Sequence, residues 1–432
     1  MACMRVCPTQ AIRVRSRKAT LLKDRCIDCG ECVRVCPTRA IVPKTSSFSD
    51  FSKYKYTIAV PSPVFYSQFG KDVAPRAILN ALKRVGFDEA YDAACASESV
   101  SIAIQEYLDR TKHPRPLLSP FCPAIVRLIQ IRYPNILEHL IPIESPMELA
   151  AREAKRQKMQ ELGLHESEIG VIYITPCPAK ELAIRFPPRK AHSFVSGTIA
   201  IAEIYATVLQ ALHDGSGGEG GEEIRGLGLG WPILGGQILC LKAEDCLAIG
   251  GLNDAVRIFE EIENGKLRDI QYIEVQSCPT GCVGGSLTVE NQYIARGRVL
   301  RTVERFGGKP CQDREKITAL YQKKFFSLPG KIPSVPLQPL DSDVAVALQK
   351  LRQKQQFYQH LPKIDCGACG SPTCMTFAED VVKGSAVADD CVFLAIRKFA
   401  SISSDLLETV VGHSRRLPDM GERGGDDTQR SG

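Results

Sequence analysis

Cys278-Pro279-Thr280-Gly281-Cys282-Val283-Gly284-Gly285 places two thiols close together, with a glycine between them and two more after the second. Glycine has no Cβ, so a chain of this composition can take up φ > 0 and lie against an inorganic core. Two cysteines cannot complete a cubane iron–sulfur cluster, which takes four ligands. Two earlier Cys-Pro sites can supply the others: Cys122 in Ser119-Pro120-Phe121-Cys122-Pro123, and Cys177 in Thr175-Pro176-Cys177-Pro178-Ala179-Lys180. The periodicity around these sites predicts strands at 56–61, 170–175 and 271–276. It predicts helices at about 75–86, 97–109, 123–132, 147–161, 198–212 and 253–264. Such alternation predicts an α/β domain with mostly parallel sheets over residues 56–310. Cys177 and Cys278 would then sit just past strands, where α/β proteins place their sites, and Cys122 at the positive N-terminal end of a helix.

Outward from this centre, the first 45 residues read as a ferredoxin-like (α+β) module. Cys26-x2-Cys29-x2-Cys32-x3-Cys36-Pro37 has the full bacterial spacing for cubane ligation, in which the fourth Cys serves the neighbouring cluster. The first half of the pair reads only Cys3-x3-Cys7-Pro8. By the cross-over rule, Cys7, Cys26, Cys29 and Cys32 form one complete site, and Cys3 and Cys36 a partial one. Either one cubane is bound here, or the given start lies inside the motif. The tandem Val6-Cys7-Pro8-Thr9-Gln10-Ala11-Ile12 and Val35-Cys36-Pro37-Thr38-Arg39-Ala40-Ile41 favours the second reading, with two further cysteines expected before Met1. Arg13-Val14-Arg15-Ser16-Arg17-Lys18 reads as a solvated hairpin face, with docking of an acidic redox partner as the alternative.

A linker with a helix, 311–355, leads to a small helical domain at 356–400. Cys366-x2-Cys369-x4-Cys374 and the later Cys391 supply four more thiols. The segment from Asp365 to Cys374 resembles the four-cysteine Fe–S domain of corrinoid iron–sulfur proteins and of some respiratory electron-transfer subunits. Zinc also accepts four thiolates. The glycine-rich, uneven spacing and the neighbouring Fe–S motifs favour a cubane. Residues 401–432 read as a helix end and a disordered tail.

The chain has 432 residues, 18 cysteines and a net charge of +6 with both signs mixed. No basic stripe marks a nucleic-acid site, and no apolar run is long enough to span a bilayer. Cysteines in such number without a signal-peptide core point to metal ligation in a reducing cytoplasm rather than to disulfides. The loop Gly215-Ser216-Gly217-Gly218-Glu219-Gly220 spells G-x-G-x-x-G but follows a helix and carries acidic residues, so it reads as a mobile surface loop. Motifs claim fourteen cysteines; Cys95, Cys240, Cys246 and Cys311 read as small buried apolar residues, with Cys95 a candidate to face the central site.

The three central segments resemble, in order and chemistry, the three H-cluster motifs of the iron-only ([FeFe]) hydrogenase large subunit. The resemblance spans roughly 56–310. It implies Cys122, Cys177, Cys278 and Cys282 as cubane ligands, with Cys282 bridging to a di-iron subsite that carries CO and CN ligands. It implies that Lys180 holds a diatomic ligand of that subsite and that Ser145 is a second donor. The cofactors would be three or four [4Fe-4S] clusters besides the di-iron subsite.

Several positions depart from the family's catalytic members. Phe121 stands where they carry the cysteine that passes protons to the di-iron unit, Met147 where they carry an amide, and Thr175 and Gln276 where they carry methionines. The third motif ends Gly284-Gly285-Ser286-Leu287 instead of in a longer glycine run. Retained ligands beside altered turnover positions resemble the sensory or regulatory branch of the hydrogenases. The implied function is to bind H2, or interconvert it slowly with protons and electrons, and to pass electrons or a redox signal through the flanking clusters. As an enzyme this would be a low-activity, ferredoxin-linked hydrogenase. The implied partners are a redox protein such as ferredoxin and a separate signalling chain, a kinase or phosphatase. The alternative is a non-catalytic electron-transfer or Fe–S assembly protein with a cubane and no di-iron subsite.

Overall fold

A computed structural model describes residues 1–110, 114–187, 189, 192–215 and 223–414, without the side chains of 404–414. The glycine-rich loop at 216–220 and the tail from 415 lie outside the described residues. The chain forms two compact units. One comprises 2–11 and 21–337; the other comprises Met1, 12–20 and 338–432.

In the first unit, strands β3 (Tyr56–Pro61), β4 (Glu89–Ala90), β6 (Ile169–Thr175) and β7 (Gly197–Ala200) form a sheet of order β4-β3-β6-β7. Strands β5 (Leu117–Leu118), β8 (Cys246–Gly250) and β9 (Tyr272–Gln276) form a second, of order β5-β9-β8. Every pairing in both sheets is parallel. The reason is visible in β6, whose seven residues are all buried: a run apolar on both faces suits only a sheet covered on both sides. Three apolar clusters fill the unit. One of them joins Ile27 to Ile125, Leu128, Phe259 and Ile273, so the first module shares a core with the central domain.

The helices and strands expected from periodicity are present, with these differences. The helix expected at 97–109 begins at Ala93, because the Asp92 carboxylate accepts the N–H groups of Ala94 (3.0 Å) and Cys95 (3.2 Å). The helix expected at 198–212 is strand β7 followed by helix Ile201–Asp214. Strands β4 and β5 are too short to carry a period, and strand β8 and helices Gln292–Phe306 and Cys374–Val382 were not foreseen. Nor is 311–337 plain linker. It holds helix Arg314–Gln322, whose Ile317 is buried in the central core, and its Val335 N–H bonds to the Gln130 carbonyl at 3.0 Å.

In the second unit, strand β1 (Ile12–Arg15) pairs with β2 (Lys18–Leu21), which starts within it. Helices Val344–His360 and Cys374–Val382 close a small core of Leu361, Cys374, Phe377, Ala378 and Cys391. Among the described residues no helix is long and apolar enough to cross a membrane.

Candidate metal centre

All four central cysteines follow the C-terminal end of a parallel strand: Cys122 after β5, Cys177 after β6, Cys278 and Cys282 after β9. Cys122 and Cys177 are also the N-cap residues of helices Pro123–Arg132 and Pro178–Arg185. The positive helix ends therefore face the thiols, which favours an anionic ligand. The Cys122 thiol contacts Ser277 Oγ at 3.4 Å, and Ser277 Oγ lies 3.9 Å from Cys278 Sγ.

The glycines of the third motif serve backbone-to-backbone packing. Gly281 has φ +88°, and a Cβ there would press on Leu234 N at 2.5 Å and the Ile233 carbonyl carbon at 2.7 Å. A Cβ on Gly285 would collide with the Pro176 carbonyl oxygen. Only a glycine lets the Cys282 loop lie on the Cys177 loop, and that contact draws the two ligand loops together.

Burial sets the electrostatics of the pocket. It raises the Cys177 thiol, against the pull of Lys180, and pushes Cys278 up to about 12, with the neighbouring Cys177 and Cys122 adding to it. Cys282 is raised further by burial, again against Lys180. A bound metal reverses this penalty, because it takes the thiol as thiolate. Two cations face the group. Lys180 is 9% exposed and its ammonium donates to the Phe121 carbonyl at 3.1 Å. Burial works against its charge, yet Tyr173 and the thiols of Cys282, Cys177 and Cys122 together hold its pKa above the ordinary value. Arg34, from the first module, donates to the Gly284 carbonyl and lies 3.8 Å from Cys278 Sγ. Four thiols, two helix N-termini and two cations suit an anionic cluster with four thiolate ligands.

Phe121 is buried and its ring lies 5.2 Å from that of Trp231. Gln276 Oε1 is 3.5 Å from Cys282 Sγ. The Thr175 hydroxyl turns back to the Cys177 carbonyl at 2.8 Å. Ser145 is the N-cap of helix Pro146–Leu162, its Oγ accepting the Glu148 N–H at 3.3 Å, and Met147 is buried beside it.

Glu274 was not foreseen. It is fully buried, and its carboxylate accepts the N–H groups of Gly235 (3.1 Å), Gln237 (3.0 Å) and Ile238 (3.4 Å), and Gln276 Nε2 (2.6 Å). It thus ties the 235–238 turn to the residue that touches Cys282. Its sequence signal, a lone acid inside the apolar strand Tyr272–Gln276, was there to be read. Burial raises its pKa from 4.5 to about 7. A carboxyl whose folded pKa lies above its unfolded one contributes stability that is complete below about pH 4.5 and lost as pH rises to about 7. Denaturant unfolding of the metal-free chain should show a loss of about 2–4 kcal/mol across that window. Glu274→Gln should flatten this slope; an unchanged slope in the variant would assign it to other groups.

In the first module, Cys7 acts on each of Cys26, Cys29 and Cys32, which burial raises, Cys26 to about 12. The four thiols of the cross-over site are thus gathered together. The tandem repeat recurs as one local geometry. Ala11 N–H donates to Cys7 Sγ and Ala40 N–H to Cys36 Sγ, both at 3.2 Å. The sulfurs lie 3.7 and 3.6 Å from the Thr9 and Thr38 hydroxyls. Cys36 is partly exposed, and the Thr38 hydroxyl and backbone N–H groups lower its pKa to about 7. Cys3 acts on Cys32.

In the second unit Cys374 and Cys391 are buried with Cys369 at their edge, and Cys366 and Cys391 both act on Cys369. Asp365 Oδ1 fixes the ligand loop by accepting the Cys374 N–H at 2.6 Å. Among the described residues no three His, Cys, Asp or Glu side chains are close enough to share a single ion. Of the remaining cysteines, Cys95 lies against Cys311, Cys240 Sγ reaches the Gly236 carbonyl at 3.5 Å, and Cys246 Sγ the Glu244 carbonyl at 3.5 Å.

Residues 55–211 match the iron only hydrogenase large subunit, C-terminal domain; residues 1–45 match the 4Fe-4S dicluster domain; residues 361–393 match a putative Fe-S cluster domain. The chain is 22% identical over 268 residues to iron hydrogenase 1 of Clostridium pasteurianum, covering 51% of this chain and 46% of the relative. It is 32% identical over 95 residues to the cytosolic Fe-S cluster assembly factor nar1 of Penicillium rubens, covering 22% of this chain and 15% of that one. These matches span less than half the length of either relative. The fold superposes on the [FeFe]-hydrogenase HydA1 from Chlamydomonas reinhardtii with a TM-score of 0.51 and 16% identity, covering 67% of this chain and 97% of that one. The chain is therefore a hydrogenase-like iron–sulfur protein, which carries an iron only hydrogenase large subunit, C-terminal domain between a 4Fe-4S dicluster domain and a putative Fe-S cluster domain.

Proposed function

We propose that the protein is a sensory member of the iron-only hydrogenase family. It binds H2 at a site beside Cys282, turns it over slowly, and passes electrons or a redox signal through its flanking clusters. The observation that carries this reading is the pairing of Lys180 with Phe121. A buried ammonium faces the ligand thiols, while an apolar ring packed on Trp231 occupies the place of the proton-carrying cysteine. A di-iron unit at Cys282 would supply the H2-splitting centre. Around it Lys180 would hold an anionic diatomic ligand, Ser145 would donate a second hydrogen bond, Cys282 would bridge to the cubane, and Phe121 would keep protons and water from leaving quickly. Cys122, Cys177, Cys278 and Cys282 would hold the cubane itself. Electrons would come and go through Cys7, Cys26, Cys29 and Cys32, with Cys3 and Cys36 belonging to a second cluster, and through Cys366, Cys369, Cys374 and Cys391. A ferredoxin-like redox protein and a separate kinase or phosphatase would be the partners.

A second reading has its own support. Phe121, Tyr173, Met147 and Trp231 belong to one buried cluster, and Phe121 and Tyr173 face Lys180. A cubane alone would also satisfy Lys180, and the protein would then be an electron-transfer or assembly factor. Infrared spectroscopy of the anaerobically matured chain separates the two. Bands of iron-bound CO and CN⁻ are expected. Their absence, in protein whose central cubane is fully loaded, would rule out the sensory reading in favour of the second.

A further inference from the structure

The basic run 13–18 is not a solvated face. Arg13 is 5% exposed, and its Nε donates to Asp380 Oδ2 at 2.5 Å. Arg15 Nη2 donates to the same oxygen at 3.0 Å and to Ser371 Oγ at 2.9 Å, and Ser371 Oγ donates to Asp380 Oδ2 at 2.6 Å. Arg15 Nη1 donates to the carbonyl of Cys369 at 2.5 Å. Val14 N–H donates to the Gly370 carbonyl at 2.8 Å, and at Gly370, φ +80°, any Cβ would collide with the Val14 carbonyl. Hairpin and four-cysteine loop belong to the same compact unit.

At this contact two guanidinium groups meet the Asp380 carboxylate. Arg15 brings its charge to the main chain of Cys369, whose carbonyl it donates to. One electron takes a thiolate-ligated cubane from a doubly to a triply negative complex. A fixed, partly buried cation beside a ligand stabilises the reduced state more than the oxidised one. Only the outer residues, Ser16 to Lys18, remain exposed.

We propose that the four-cysteine site is a composite one, in which the N-terminal hairpin supplies Arg15 as a fixed cation that raises the midpoint potential of the cluster held by Cys366, Cys369, Cys374 and Cys391. This rests on the reading of that site as a cubane. It makes the hairpin, which joins Cys7 to Cys26 along the chain, part of the redox poise of the last domain.

The test is an EPR-monitored dithionite titration of the full anaerobic chain, with iron content measured on every variant. Cys391→Ser identifies the signal of this site; if it removes no signal and no iron, the cubane reading fails, and the proposal with it. With the signal assigned, Arg15→Gln should shift its midpoint to more negative potential, and Arg15→Lys should restore most of the shift. Asp380→Asn should shift it the opposite way, because it removes the counter-charge and leaves both arginines. A merely structural role would move Arg15→Gln and Asp380→Asn in the same direction, through loss of iron. Arg17→Gln, exposed on the same hairpin, should change nothing. Retained iron with an unmoved midpoint in Arg15→Gln, or shifts of the same sign in Arg15→Gln and Asp380→Asn, would overturn the assignment while leaving the cubane reading intact.

Discussion

Phe121→Cys in fully matured protein should raise H2 evolution with a reduced dye by about 10²–10⁴-fold, the usual contribution of a general acid–base group. Cleaving H2 heterolytically requires a base beside iron and carriers that take the proton outward. The ring of Phe121 packs on Trp231 at 5.2 Å, so the present side chain neither carries a proton nor leaves a polar space in which water could replace it. The backbone at this position is already held, since its carbonyl accepts from Lys180. The exchange should therefore place a thiol without moving the loop. It should cost stability, up to the roughly 3–5 kcal/mol of a truncated buried Phe. A wild-type chain that already turns over as fast as a dedicated hydrogenase would defeat the sensory reading. A Phe121→Cys chain with no gain would move the limit to Gln276, at Cys282, or to Thr175.

Lys180→Met is expected to have the second-largest effect. Methionine nearly matches the length of the lysine stem, so packing is kept while the cation is lost. The Phe121 carbonyl then has no donor, and the thiolates of Cys122, Cys177 and Cys282 lose the charge that faces them. Removing one partner of a buried charged group costs about 3–5 kcal/mol. That corresponds to cluster retention weaker by about 10²–10⁴-fold. Iron remaining after timed exposure to a chelator would measure it, with the cluster of Cys7, Cys26, Cys29 and Cys32 as internal reference. Equal iron loss from wild type and variant would show that Lys180 does not hold the central cluster. A cluster that survives at a more negative potential, with unchanged infrared bands, would assign Lys180 to the cubane rather than to a diatomic ligand.

Where chemistry is local, it was legible. The repeat around Cys7 and Cys36 returns as the same N–H to sulfur contact in both halves. The apolar run Ile169–Thr175 could only be a covered parallel strand, so a ligand just beyond it had to lie at a strand end. Glycines 281 and 285 were also legible, but not their protein neighbours. Gly285 admits the loops that carry Cys177 and Cys282 to each other, a contact between residues about a hundred positions apart, and Gly281 admits the turn at 232–234.

Charge was where the sequence misled. Arg13 and Arg15 stand in a basic run that any single-sequence reading places in water, because the carboxylate that buries them is more than 360 residues away. Glu274 hides its purpose in the same manner, since its partners are main-chain N–H groups of a turn that no side-chain pattern announces. Residues 311–337 look like a tether until Ile317 finds the central core. By itself, then, the sequence determined which strands are covered, because apolar burial is written in period. Only the tertiary structure decided which charges are buried and what they face, because desolvating an ion depends on partners that chain closure, not adjacency, brings to it.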